Sequence, residues 1–259
     1  IYLSIVGSIL FSFGGTMVSL TNLLNHFQSA VWLPWLVYCW ERAVKNKRWS
    51  TLVVFAMVAV CQLLAGSPEV FAFSAVLLVA DIVRMYSKEK SGAVSSNVAR
   101  LSAAGLMVMG IAMVQLLPTA ELILQSRRDH AIPAPEAFAW SLRPWALIGL
   151  FLPMLEPDTS LSVGVRLLLT DRLPLLLSNY LGNIAVFGFC SWLFTARMRE
   201  RLVIAGLIAI SLLCAFGSYT PVYPELYKWL PGFHSIRFPE KFYFITFAIL
   251  VFGIIRGIG

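Results

Sequence analysis

The sequence predicts an all-α, polytopic membrane protein with about eight transmembrane helices in its 259 residues. Three observations carry that prediction. The chain is 59% hydrophobic and only 13% charged, with a mean hydropathy of +0.79. Its apolar residues are gathered into runs close to the ~20 residues that cross a hydrocarbon core. Its basic residues concentrate in alternate connections between those runs. A soluble domain carries about 25% charged residues, and a disordered chain needs low hydrophobicity. An outer-membrane barrel is excluded as well, since its strands alternate apolar and polar residues.

Taken in order, the runs cover roughly 1–20, 29–44, 50–66, 69–86, 99–117, 180–196, 202–218 and 241–258. The second is short and Pro34 interrupts it early. The first lacks the basic leader of a signal peptide. The connections then set orientation. Arg42, Lys45, Lys47 and Arg48 follow the second run, Arg84, Lys88, Lys90 and Arg100 the fourth, and Arg197, Arg199 and Arg201 the sixth. The short connections 21–28 and 67–68 contain no Lys or Arg. The positive-inside rule places the basic connections in the cytoplasm, and all eight runs then alternate consistently. The net charge of +7 is thereby a topology signal, and nucleic acid is not an expected partner.

The reading is one transmembrane domain over 1–259, with a larger outer loop at 118–179 and a second at 219–240. Within the larger loop, Pro144–Leu155 and Leu173–Leu177 are too short to span and are expected to lie in the interface. Trp140, Trp145 and Trp229 suit the same level, where amphipathic rings anchor. Cys39, Cys61, Cys190 and Cys214 each fall in an apolar run without metal-ligand spacing and read as small buried hydrophobes. The sequence starts at Ile1 without methionine and stops inside an apolar run, so it is expected to be an internal piece of a longer protein.

No phosphate-binding glycine loop is visible. His26, His130 and His234 are far apart and lack a zinc-type partner at i+3 or i+4. Gly253 and Gly257 fit a GxxxG helix-packing pair. Four glutamates directly follow proline: Glu69, Glu136, Glu225 and Glu240. Proline suits the first helical position and a carboxylate suits the positive end of the helix dipole, so a helix start explains all four. Ser67 before Pro68 completes an N-cap signature. Glu69 stands out because it sits in a tiny loop at the outer membrane edge, where a charge must face water or the bundle interior. Glu156 and Asp158 bracket Pro157 and point the same way in an extended chain. That pair could hold a divalent cation, although a solvated turn is the simpler reading and no cofactor has positive support. Arg237 and Lys241 lie beside aromatic residues at the mouth of the final run. There they could grip a lipid phosphate or simply snorkel to headgroups. Arg127 and Arg128 pose the same choice.

Several segments resemble the bacterial YfhO family of membrane proteins. They are Leu23-Leu24-Asn25-His26-Phe27-Gln28-Ser29-Ala30-Val31-Trp32-Leu33-Pro34-Trp35, Gln62-Leu63-Leu64-Ala65-Gly66-Ser67-Pro68-Glu69 and Gln115-Leu116-Leu117-Pro118-Thr119-Ala120-Glu121. A further set is Tyr219-Thr220-Pro221, Pro231-Gly232-Phe233 and Arg237-Phe238-Pro239-Glu240-Lys241-Phe242. The resemblance implies a GT-C-like bundle in the bacterial inner membrane with its active site on the extracytoplasmic face. It also implies transfer of a sugar from a polyprenyl-phosphate-linked donor to a cell-surface glycan, glycolipid or protein. The family's acidic motif in the first outer loop would lie upstream of Ile1, and with it the main catalytic carboxylate. The chain has Ser67 where the family often has histidine, and Lys241 where it often has arginine. On this reading Arg237 and Lys241 bind the lipid phosphate, Glu69 is the candidate catalytic carboxylate, and Arg127 and Glu121 belong to the substrate-binding rim. A transporter or flippase of lipid-linked sugars is the first rival and a structural membrane subunit the second. Few charges sit at mid-span, which weighs against an ion-coupled transporter.

Overall fold

Helix forms along each of the eight apolar runs. The computed structural model describes residues 2–86, 91–125, 133–152, 175–230, 233 and 236–257. Among these the chain is all-helical, without strands. The helices are α1 Tyr2–Phe13, α2 Gly15–Leu20, α3 Leu24–Val31, α4 Leu33–Asn46, α5 Trp49–Leu64, α6 Pro68–Tyr86 and α7 Ser91–Leu124. They continue with α8 Ala134–Ala137, α9 Asn183–Thr195, α10 Met198–Ala215, α11 Val222–Trp229 and α12 Tyr243–Gly257. Short 3-10 turns occupy Pro144–Leu150, Gly217–Tyr219 and Pro239–Phe242.

Two expected spans are broken into shorter helices. Gly14 separates α1 from α2, and Trp32 separates α3 from α4 ahead of Pro34. In the other direction, α7 runs through Pro118 to Leu124, so the larger loop begins later than position 118. A proline removes one helical hydrogen bond, and a long apolar helix can absorb that loss. Only one helix among the described residues, over Ser95–Leu122, is long and apolar enough to cross a membrane by itself. The 16 residues of α5 rise only about 24 Å.

The chain divides into two compact units: residues 1–22, 132–197 and 204–259, and residues 23–131 with 198–203. In the first, α12 is the central element. Tyr243, Phe244, Ile245, Phe247, Ala248, Val251 and Ile254 are all buried, so the helix is enclosed on every side, as a helix apolar all round must be. Gly253 makes this close approach possible. A Cβ there would stand 2.5 Å from Phe189 Cδ2 and 3.1 Å from Trp192 Cε3, both on α9. Half of the expected glycine pair thus has a demonstrable packing role. Thr246 and Ser211 join α12 to α10 through a 2.6 Å hydroxyl–hydroxyl bond. The segment 178–180 is pinned to α2: Gly15 N donates to Tyr180 O at 2.7 Å, and Ser178 N donates to Ser19 Oγ at 2.9 Å. Leu175 and Leu176 are buried, so this part of the stretch expected in the interface belongs to the core. Its backbone is drawn inward by a buried carboxylate described below.

In the second unit α5 is central, packed by α3, α4, α6 and α7. Its core holds Trp40, Leu52, Phe55, Ala56, Ala59, Val60, Ala104 and Val108. Small residues at Ala56, Ala59 and Ala104 let the backbones approach. The outward surface of α7 stays apolar: Leu106, Val114, Leu117, Leu122 and Leu124 are exposed, Val114 by 85%. Arg100 on α7 donates to Ala43 O at 2.9 Å, Lys47 O at 3.0 Å and Arg48 O at 3.2 Å. A guanidinium there adds donors to the carbonyls at the C-terminus of α4 and faces its negative dipole end. Arg100 therefore meets the basic connection around Lys47 and Arg48 at one end of the unit. Cys39 and Cys214 are buried as expected, but Cys61 is half-buried and Cys190 exposed. The reason for Cys190 is its place on an outward face of α9, whose neighbours Phe187 and Phe194 are exposed too.

Candidate functional site

All four Pro–Glu pairs stand in the first turn of a helix, α6, α8, α11 and the Pro239–Phe242 turn. Their surroundings then separate them.

Glu69 acquires a partner. Leu63 to Gly66 close α5, and Gly66 turns the chain at φ +95°, a conformation that suits a residue without a Cβ. Ser67, 1% exposed, follows and accepts Val70 N at 3.4 Å on its Oγ, the expected N-cap of α6. Glu69 Oε2 lies 2.9 Å from His26 Nε2 on the first turn of α3. A carboxylate has no proton to give, so Nε2 donates. The side chains are 15% and 21% exposed, partly sheltered yet open at one edge. A charge-assisted bond of this kind contributes roughly 1.5–3 kcal/mol.

A buried network fixes that pair. Ser29, one turn after His26, donates its hydroxyl to Gln62 O at 2.9 Å. Gln62 Nε2 donates to Ser29 O at 3.1 Å and to Ser74 Oγ at 2.8 Å. Ser67 N donates to Ser29 Oγ at 3.3 Å, and Ser74 Oγ donates to Val70 O at 3.0 Å. Ser29, Gln62 and Ser74 are all fully buried. The network thus ties α3, α5 and the start of α6 together with hydrogen bonds that water does not weaken. Segments 23–35 and 62–69 meet here. The pair lies beyond the Leu64 end of α5, while Arg48, Lys47 and Arg100 cluster at its Trp49 end.

In the other unit, residues 236–242 form a braced turn. Phe238 adopts a left-handed conformation, φ 68° and ψ 81°, which costs a bulky residue about 1–2 kcal/mol. Its N donates to Ala137 O at 3.0 Å, Glu240 N donates to Trp140 O at 3.1 Å, and Lys241 N donates to Phe238 O at 3.2 Å. Its ring packs edge-on against Trp140 at 4.2 Å. Arg237, expected at a lipid phosphate, pairs with Glu136 at 3.0 Å, both half-exposed. Such an exposed pair is worth about 0–1 kcal/mol. Lys241 is buried, with Nζ 5.1 Å from the centre of the Phe238 ring.

Glu240 is the residue the sequence reading undervalued. It is 3% exposed, and its Oε2 accepts Leu175 N at 3.0 Å. Burial pushes its carboxyl up to about 7, against the downward pull of the Leu175 and Leu176 amides and the Arg143 guanidinium. Glu225, by contrast, is exposed on α11, where bonds from Lys228 at 2.8 Å and Trp229 at 3.0 Å hold its carboxyl below the usual range. Trp229 itself is 80% exposed.

Of the remaining expected site residues, Glu121 stands exposed on the last turn of α7. Arg127, Arg128, Glu156, Asp158, His130 and His234 lie outside the described residues. No group of three or more His, Cys, Asp or Glu among the described residues is placed to hold a metal. No protein-family model, curated protein or solved structure matches the chain.

Proposed function

We propose that the chain is part of a multi-pass protein of the bacterial inner membrane, a GT-C-like glycosyltransferase similar to the YfhO family. It would transfer a sugar from a polyprenyl-phosphate-linked donor to a surface glycan, glycolipid or protein outside the cytoplasm. The observation that carries the reading is the His26–Glu69 pair, held 2.9 Å apart at the end of its unit opposite the basic cluster. Topology by the positive-inside rule puts that end outside, where a lipid-linked donor presents its sugar. Support for membrane placement comes from the exposed apolar face of α7, of a kind a soluble monomer rarely shows.

The reaction needs a group to take the proton from the acceptor hydroxyl and cations to stabilise charge on the departing phosphate. For the first, the main catalytic carboxylate would lie upstream of Ile1, and Glu69, bonded to His26, is the candidate carboxylate within this chain. Arg237 supplies the second by exchanging Glu136 for the phosphate, and Lys241 adds positive charge beside the aromatic turn. Arg127 and Glu121 are further candidates for contact with the substrate. No nucleotide fold is required, because the donor is a lipid.

The test is glycosyl transfer by the full-length protein in proteoliposomes, with undecaprenyl-phosphate hexoses as donors. Turnover that falls at least about tenfold in Glu69→Gln or Arg237→Ala, or about 1.4 kcal/mol of barrier, supports the enzyme and its residues. Movement of donor across the bilayer without transfer makes a flippase the better account.

A further inference from the structure

We infer that one face of α4, continued by the turn into α5, binds an anionic phospholipid of the cytoplasmic leaflet. The inference rests on the membrane placement in the proposed function and is independent of the sugar-transfer chemistry. Trp35, Tyr38, Arg42 and Lys45 recur at intervals of three and four residues along α4, and all are exposed, so they form one stripe. The stripe is graded, aromatic toward the start of the helix and cationic at its end. The basic end is the cytoplasmic one by the positive-inside rule. From Trp35 to Lys45 the helix rises about 15 Å, half of the ~30 Å hydrocarbon core and so the depth of one leaflet. A phospholipid carries the same grading over the same distance, with acyl chains toward the midplane and phosphate at the surface.

Cations gather at the end of the stripe without a carboxylate to neutralise them. Lys47 and Arg48 in the following turn are exposed as well. Among the described residues, no carboxylate pairs with Arg42, Lys45, Lys47 or Arg48, and Glu41 is the only acidic residue from 41 to 49. The backbone that carries them is fixed. Arg100 donates to Ala43 O, Lys47 O and Arg48 O, Lys47 N donates to Ala43 O at 3.1 Å, and Thr51 Oγ1 donates to Arg48 O at 2.8 Å. Arg42 is oriented too: its Nη1 donates to Tyr38 Oη at 3.0 Å, and its guanidinium lies 5.9 Å from the centre of that ring. The contact leaves most of the planar fork free to grip a phosphate. Topology alone asks for positive charge in this connection. It does not ask for cations aligned with exposed aromatics beside a braced turn. A zwitterionic lipid would bring its own ammonium among these cations, so the site selects a headgroup of net negative charge.

The experiment is native mass spectrometry of the full-length protein in detergent, titrated with phosphatidylglycerol or with phosphatidylethanolamine of equal chain length. The wild type should bind phosphatidylglycerol the more tightly, by at least about tenfold. Arg42→Gln with Lys45→Gln should remove at least about tenfold of that affinity, since each cation near an anionic lipid is worth about fivefold. Arg197→Gln with Arg199→Gln removes the same charge from another basic connection, where both side chains are exposed, and should change the affinity by less than about twofold. Glycerol phosphate, which has the headgroup charge without the chains, should not compete at millimolar concentration. Equal binding of the two lipids, equal losses in the two double variants, or competition by glycerol phosphate overturns the inference while the transfer reading stands. Absence of sugar transfer leaves this site standing. A full-length protein that alkaline carbonate strips from membranes overturns both.

Discussion

His26 and Glu69, 43 positions apart in the chain, meet through a 2.9 Å bond between Nε2 and Oε2. Neither helix could deliver that contact alone. It exists because Ser29 and Gln62 fasten α3 to α5, and because Ser67 starts α6 directly beside them. A pair of ionisable side chains is thus supported by neutral, fully buried ones.

That support predicts a stability cost with a functional signature. Gln62→Leu leaves Ser74 Oγ without its donor and Ser29 O with Trp32 N alone, at about 1–3 kcal/mol. Thermal unfolding in detergent should register the loss. Transfer should fall further than stability explains, because His26 loses its backing. Wild-type stability in this variant would contradict the network's role.

Glu240 predicts a pH dependence with a definite sign. Its folded carboxyl lies near pH 7 against an ordinary 4.5, so between those values the folded state binds more protons than the unfolded one. Stability then falls as pH rises through that window, by something on the order of 3 kcal/mol in full. Glu240→Gln keeps an acceptor for Leu175 N and removes the charge. Unfolding measured from pH 5 to 8 should be flatter in the variant, which should be the more stable protein at pH 8.

Glycines separate into two classes. Gly253→Val would drive a side chain into Phe189 and Trp192 and should destabilise by about 1–3 kcal/mol. Gly105→Ala and Gly110→Ala, where a Cβ meets nothing within 4 Å, should be neutral or stabilising by up to about 1 kcal/mol. Thermal shifts of the three variants check the contrast.

The pairing of Arg237 with Glu136 predicts a release effect. Glu136→Gln should change stability by less than about 1 kcal/mol, since both partners are half-exposed. It should tighten binding of a polyprenyl phosphate by leaving the guanidinium unopposed. Unchanged or weaker binding in a vesicle flotation assay would remove Arg237 from the phosphate site.

How much of the fold and the site is legible in the sequence follows from the range of each signal. Helix positions are legible because apolar runs and Pro–Glu starts are local, and Ser67 with Pro68 marks the start of α6 correctly. The break ahead of Pro34 is legible from that proline, but the one at Gly14 is not, since it depends on what packs there: a Cβ at Gly14 would stand 2.8 Å from Phe247 Cε2 on α12. Arg100 reads as a topology signal and proves to cap α4 as well, a contact across more than fifty residues. His26 has no ligating neighbour along its own segment, because its partner comes from another helix. Glu240 looks like Glu225, an acid after a proline. Only the fold buries one and exposes the other.

An extracytoplasmic site is tested most directly by the membrane topology of the His26–Glu69 pair against the basic cluster. In intact cells producing the full-length protein with its native cysteines replaced, an impermeant maleimide should label Gln28→Cys, beside His26. It should not label Lys45→Cys until the membrane is opened. The reverse pattern, or labelling of both in intact cells, would contradict an extracytoplasmic site at His26 and Glu69.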